Sequence, residues 1–213
     1  MNQAVCGPDL AWQPSLLEGC QAEVTIEVDH GFAGIARREL DHGAWVDQQP
    51  GWCRGADELF ARLLEHTPWR GRTVHMYDRV VAEPRLTHGW LVDEGPPPPD
   101  DLREMARVLS DRYRVRFSQV GVNLYRDGTD SVAWHGDRVA RELPEAVVAL
   151  VSLGAIRPFR LRPTGGGPSL LFRPGPGDLL VMGGSCQRTW QHAVPKCRGA
   201  GPRMSVQFRH AYV

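Results

Sequence analysis

Val120-Gly-Val-Asn-Leu-Tyr125, closed by the turn signal Asp127-Gly128 and followed by His135-Gly-Asp137, is the stretch whose reading decides the fold. Its apolar residues alternate with small and polar ones, the period of a strand with two unlike faces. Working outward, Val147 to Leu153 is nearly all β-branched or aliphatic and reads as a core strand. Ser169–Phe172 and Leu179–Met182 are strand-like segments separated by a Pro174-Gly-Pro-Gly177 turn, and Trp190–Val194 and Met204–Ala211 follow. Many short strands with regular turn signals predict a sandwich or barrel. The fold expected is α+β and mainly β: a double-stranded β-helix, or jelly roll, over about 118–213.

Upstream of Ser118 the pattern is more helical. Val24, Ile26 and Val28 alternate as a strand, and Gly31 to Leu40 is expected to form a short helix. Ala56 to His66 is a stronger helix, with Leu59, Phe60, Leu63 and Leu64 as its apolar stripe. The proline run Pro96–Pro99 marks a loop. Asp101 with Glu104 three positions on then predicts a capping box that opens a second helix. Residues 1–20 lack periodicity and read as a loosely ordered extension, leaving 21–213 as a single domain.

Composition narrows the function classes. The 213 residues carry 25 Lys/Arg against 25 Asp/Glu, so net charge gives no hint of a polyanionic partner. The distribution is uneven: from Gly154 onward there are nine Lys/Arg and one acid, Asp178. A locally basic face binds a phosphate backbone even on a neutral protein, and scattered solvated arginines are the alternative. The five cysteines are widely spaced with no C-x-x-C pair, which excludes a disulfide framework and a zinc ribbon. No signal peptide and no apolar run long enough to span a membrane is seen, so a cytoplasmic protein is expected.

His135 and Asp137 lie two apart and share a face if the backbone is extended. With His192 brought in from a distant strand, two imidazoles and one carboxylate form a facial triad that suits non-haem Fe(II). Arg203 and Arg209 are an even six positions apart on the last strand, so both point the same way. An inward-facing arginine needs an anionic partner. With no acid spare in the last third of the chain, a small dicarboxylate fits, held in a bidentate fork; surface placement of both arginines, with the opposite strand face buried, is the alternative.

Asn123-x-Tyr125, His135-x-Asp137, His192 and Arg203-Met-Ser-Val-Gln-Phe-Arg209 together resemble the AlkB family of Fe(II)/2-oxoglutarate-dependent dioxygenases. Val151-Ser-Leu-Gly154 and Gly177-Asp-Leu-Leu-Val-Met-Gly-Gly184 extend the likeness. Met76-Tyr-Asp-Arg79 and Glu83-Pro-Arg-Leu-Thr87 look like that family's nucleotide-recognition lid, placed at about 70–100. Several motifs in one order carry far more than each alone.

The resemblance implies that His135, Asp137 and His192 hold Fe(II), and that 2-oxoglutarate and O2 are cosubstrates. Asn123, Tyr125 and Ser205 would contact 2-oxoglutarate, Arg203 its distal carboxylate, and Arg209 would lie near its metal end. The partner implied is an alkylated base in single-stranded or flipped-out nucleic acid, and the enzyme is expected to be a monomer. Trp90 and His135 are candidates for the two sides of a base-stacking slot, a core tryptophan being the other reading of Trp90. Arg79 and Arg160 are candidates for base or phosphate contact, with solvated surface arginine as the alternative. Trp134 alternates with His135 and is expected to face away from the metal.

Two departures from the family pattern stand out. Ser205 and Gln207 replace the family's Asn and Thr, and Arg138 and Val139 stand where repair-type members carry an acid that reads an exocyclic amine. The activity implied is oxidative dealkylation of damaged bases, on an N-methyl or etheno lesion, with the alkyl group leaving as an aldehyde. Hydroxylation of a small molecule or a protein side chain is the alternative.

Overall fold

The computed structural model describes residues 24–76, 79–137 and 145–210, with backbone alone for 72, 74–76 and 79–82. The expected extension over 1–20 lies outside the described residues. In chain order the elements are β1 (Glu27–Val28), β2 (Ala36–Glu39), β3 (Ala44–Gln49), β4 (Cys53–Arg54), α1 (Ala56–His66), β5 (Arg70–Met76) and β6 (Arg79–Leu91). They continue as α2 (Asp100–Tyr113), β7 (Phe117–Tyr125), β8 (Val132–His135), β9 (Val148–Gly154), β10 (Phe159–Pro163), β11 (Leu170–Phe172), β12 (Leu179–Gly184), α3 (Cys186–Thr189), β13 (Trp190–Val194) and β14 (Arg203–His210).

Eight strands form a large sheet in the order β2-β3-β12-β9-β14-β7-β6-β5, and four form a small one, β11-β10-β13-β8. Neighbours in both are antiparallel. Crossed connections between two such sheets are the jelly-roll architecture expected from the sequence. The region read as a lid is the β5–β6 hairpin, which continues the large sheet beyond β7.

The strands of the large sheet sort their side chains by period two. Val120, Val122 and Leu124 of β7, Ala149, Val151 and Leu153 of β9, and Met204, Val206 and Phe208 of β14 pack in one cluster with Leu59, Phe60 and Leu63 of α1 and Leu102, Met105 and Leu109 of α2. The alternate positions, among them Tyr125, Val148 and Leu150, pack with Phe159, Leu161 and Val194 of the small sheet. The helices thus seal one face of the large sheet, and the other faces the small sheet across the interior.

Helix α1 spans the predicted residues. Gly55 precedes it with φ +70°, where a Cβ would meet Ile26 Cδ1 at 2.9 Å and the Thr25 carbonyl at 3.0 Å. Helix α2 begins two residues earlier than the capping box predicts, with Pro99 and not Asp101 at the N-cap, and no side chain caps it. Asp101 instead pairs with Arg62 at 2.9 Å, and Glu104 with Arg107 at 2.7 Å, so both capping-box residues are engaged elsewhere. The helix expected over 31–40 is absent. The Asp29 carboxylate accepts from the Gly31 and Ala33 amides, closing a turn, and Ala36–Glu39 runs as strand β2. Arg37 is held there by a two-bond contact to buried Asp47 on β3.

The basic C-terminal third does not form one face. Arg157 is fully buried and donates to the carbonyls of Asp127, Asp130 and Pro195, tying two loops together. Arg203 is buried too, and Arg209 points into the interior cavity.

Candidate metal centre and cosubstrate pocket

Antiparallel pairing of β8 with β13 sets His135 directly opposite His192. Asp137 follows two residues after His135, and one donor atom from each of the three lies within 4.8 Å of the others. Gly136 allows this close packing, since a Cβ there would meet the Gln187 carbonyl at 2.7 Å. The triad lies at the edge of a cavity of about 1040 Å³ between the two sheets.

Each ligand is oriented by a neighbour. His135 Nδ1 lies 2.8 Å from the Ala133 carbonyl oxygen. A proton on Nδ1 satisfies that contact and leaves Nε2 for a metal. His192 stacks on Phe159, with ring centroids 5.5 Å apart, and burial pushes its pKa down to about 3. The imidazole is therefore neutral, the form that donates a lone pair. Burial is the largest influence and pushes the Asp137 carboxyl up, but the Arg209 guanidinium and the two neighbouring histidines together outweigh it, and the group stays ionised below its usual range. Asp137 Oδ1 accepts from Arg209 Nη2 at 3.0 Å, and its backbone amide donates to Gln187 Oε1 at 3.0 Å. Asp137 Oδ2 is buried with no hydrogen-bond partner. An anionic oxygen left free beside two imidazoles fits a divalent cation.

The cosubstrate residues lie on paired strands. Register places Tyr125 opposite Arg203 and Asn123 opposite Ser205, and Asn123, Tyr125, Ser205 and Arg209 all border the cavity. Arg203 is 1% exposed, with its guanidinium against the Tyr125 ring. Its Nε donates to Ser152 Oγ at 3.0 Å, while Nη1 and Nη2 are buried without a partner. Burial lowers the Arg203 pKa, which registers the cost of holding that charge out of water. Two parallel unpaired N–H donors fit one carboxylate in a fork. Burial also raises the Tyr125 pKa, so its phenol stays protonated as a donor.

The substrate candidates are placed differently. Arg160 is on the outer face of the small sheet, donating to Ser169 Oγ at 2.8 Å. Its neighbours in β10, Phe159 and Leu161, take the inner positions. It does not border the cavity, because strand alternation turns it away from the metal ligands. Trp134 lies under the Arg162 guanidinium at 4.1 Å and also borders the cavity. Trp90 borders the cavity, but its ring packs on the helix-side core and edge-on against His88. It pairs with Val120, so it takes the face of Leu86 and not that of Thr87 and Asn123. Arg79 starts β6, and its side chain, like all of Arg138 and Val139, lies outside the described residues.

Several residues of the site escaped the sequence reading. Phe159 was findable, because it alternates with Leu161 in a strand-like run. Gln187 had no signal, since a four-residue helix carries no period. Glu83 and Arg85, which lie in the stretch read as a lid but were given no role of their own, form an ion pair at 3.1 Å and border the cavity.

Comparison with known proteins agrees with this geometry. The family model described as the 2OG-Fe(II) oxygenase superfamily matches residues 50–209. The human "Alpha-ketoglutarate-dependent dioxygenase alkB homolog 3" is 30% identical over 210 residues, covering 89% of this chain and 71% of that protein. The "DNA oxidative demethylase ALKBH2" of Arabidopsis thaliana is 32% identical over 192 residues, 71% of this chain and 60% of that one. Among solved structures, OsALKBH1 superimposes with a TM-score of 0.56 at 13% identity, over 82% of this chain and all of that one, a likeness of fold.

Proposed function

The chain belongs to the AlkB family of 2OG-Fe(II) oxygenases, and on that footing we propose that it oxidatively dealkylates damaged bases in DNA or RNA. It is an Fe(II)/2-oxoglutarate-dependent dioxygenase, with O2 as the second cosubstrate. The observation that carries the proposal is a pair of unmet bonding capacities: Asp137 Oδ2 beside two imidazoles at the cavity, and the η-nitrogens of Arg203, whose guanidinium lies against the cavity-lining Tyr125 ring.

Bound iron and 2-oxoglutarate supply the chemistry that activates O2 and inserts one oxygen atom into a C–H bond, with succinate and CO2 as co-products. The protein's share is positioning. His135, Asp137 and His192 would hold the metal. Arg203 would grip the distal carboxylate of 2-oxoglutarate, with Asn123, Tyr125 and Ser205 along its length. Arg209 would keep Asp137 ionised and oriented. A hydroxylated N-alkyl group then leaves as an aldehyde, and the base returns to its unmodified form.

A base stacked in a duplex cannot reach a cavity between two sheets, so the substrate is single-stranded or flipped out. The Arabidopsis thaliana relative, named a DNA oxidative demethylase, supports the choice of nucleic acid. The reading describes one catalytic domain over 21–213, acting as a monomer. The free thiols of Cys53, Cys186 and Cys197 support a cytoplasmic setting, and no described helix is long and apolar enough to cross a membrane.

The test is mass spectrometry of methylated and etheno-modified oligonucleotides incubated with protein, Fe(II), 2-oxoglutarate and ascorbate. Loss of the alkyl mass with succinate release is expected. Succinate release without any change in DNA or RNA would overturn the nucleic-acid reading in favour of a small-molecule or protein hydroxylase.

A further inference from the structure

Asp137 is held at both its side chain and its backbone. Oδ1 accepts from Arg209, and the main-chain amide donates to Gln187 Oε1 at 3.0 Å, from a residue 50 positions later in the chain. The amide lies just past the end of β8, where the ladder to β13 has stopped. A buried N–H there needs a partner, and a side chain supplies it. Gln187 is itself 5% exposed, and its Nε2 donates to Met182 Sδ of β12 at 3.8 Å. Both ends of its amide are therefore engaged. Turning the amide over would set donor against donor at Asp137 and acceptor against acceptor at the thioether, so the oxygen is fixed toward Asp137.

Helix α3, which carries Gln187, has only four residues, too few to hold its place by its own hydrogen bonds. Its neighbours seat it. Ser185 Oγ donates to the His42 carbonyl at 2.7 Å, ahead of β3, and the Thr189 carbonyl accepts from the Thr164 amide at 2.9 Å, beyond β10. The Gln187 carbonyl packs on Gly136 so closely that a Cβ there would sit 2.7 Å from it, with the Trp190 carbonyl at 3.6 Å. His192 follows two residues after Trp190 on β13. The segment 187–192 thus supplies one metal ligand and clamps the turn between the other two.

We propose that Gln187 is a positioning residue for the metal. It fixes the Asp137 backbone so that the carboxylate keeps Oδ1 on Arg209 and Oδ2 free for the ion. Gln187 does not border the cavity, so it acts through Asp137 and touches neither cosubstrate nor base. The inference rests on the reading of His135, Asp137 and His192 as the ligands. Partners that orient a metal ligand command about 10–100-fold in metal affinity. Arg209 holds the carboxylate by charge, and Gln187 holds the main chain by geometry, so the two are separable.

The test is calorimetry of Mn(II) binding to the metal-free full-length protein, which needs no turnover. Gln187→Leu removes the acceptor and keeps an apolar side chain in its place, and its Kd for Mn(II) is expected to rise by about tenfold. Met182→Leu keeps Gln187 but takes away the sulfur that fixes its amide, at nearly constant volume, and a rise of about threefold is expected. Ser110→Ala is the control. It strips the Phe117 amide of a side-chain acceptor at 3.0 Å in the same way, but on α2. Its melting temperature should fall while its Mn(II) affinity stays at the parent value. An unchanged Kd in Gln187→Leu whose melting shows it folded, or an equal rise in Ser110→Ala, would overturn the assignment. Should Gln187→Leu fail to fold, Met182→Leu decides, and parent affinity there overturns it. If the parent protein itself binds no Mn(II), the ligand reading fails first and the positioning role with it.

Discussion

Strand β14 allows the two faces of the large sheet to be compared at equal depth. Met204, Val206 and Phe208 point to the helices, and Arg203, Ser205 and Gln207 to the cavity; all six are buried. The first three pack in the apolar cluster and carry no side-chain nitrogen or oxygen to satisfy. The cavity side leaves Arg203 Nη1 and Nη2, Thr87 Oγ1 and Asp137 Oδ2 without partners. Buried polar groups are normally paired, so this concentration marks where ligands complete the structure. Stability is held on the helix side, and unmet bonding capacity is held on the other.

The sharpest way to break that contrast is at the metal. His135→Ala or Asp137→Ala should take succinate release to background, since each removes one of three ligands. The melting temperature of metal-free His135→Ala should move by only a few degrees, while Asp137→Ala also takes from Arg209 its ion-pair partner at 3.0 Å and should fall further. Near-normal 2-oxoglutarate decarboxylation in either variant would sink the ligand assignment.

The opposite result is expected on the helix side. Phe208→Ala should cost about 3–5 kcal/mol, the usual range for emptying a buried aromatic site. Urea denaturation would measure it. The fraction still folded should bind 2-oxoglutarate with parent affinity, and a large affinity loss there would show that the two faces are not separable.

Arg203 belongs to both accounts. Arg203→Ala should weaken 2-oxoglutarate binding by about 2–3 kcal/mol, the worth of charged hydrogen bonds. Arg203→Lys should lose less, keeping the charge without the planar fork. Calorimetry with Mn(II) in place of iron would read both. Without cosubstrate the sign reverses: Arg203→Met removes a buried cation whose η-nitrogens are unpaired, and it should raise the melting temperature. A destabilised methionine variant would mean that the protein itself satisfies the guanidinium.

The helix side was also the more legible in the sequence. Val120, Val122 and Leu124, then Met204, Val206 and Phe208, announce strands by period two, and the stripe of α1 announces a helix. The polar side of the same strands carried the site, so Asn123, Tyr125, Arg203 and Arg209 were found along with the fold. Strand β3 was missed because Asp47 and Gln49 are buried polar residues that break the pattern. Their partners, Arg37 and Asp29, are distant in sequence or on another strand. Strand β6 was missed because Pro84 and Gly89 interrupt it. Arg160 was misplaced because an arginine in a strand gives no sign of which face is inward. Here Phe159 and Leu161 decided it.

Trp90 makes the smallest but most discriminating test, since the sequence left it between a stacking platform and a core residue. In the fold it shares the face of Leu86 and Val120 and packs edge-on to His88, with part of its surface exposed. Trp90→Ala should therefore cost about 1–3 kcal/mol of stability, in line with partial burial of a large ring. Turnover of a modified base and uncoupled 2-oxoglutarate decarboxylation should fall together, in proportion to the folded fraction, when both are measured on one preparation. A selective loss of base turnover would instead put the ring in contact with the substrate. It would also show that the boundary between the stabilising and ligand-binding faces runs through β6 and not along it.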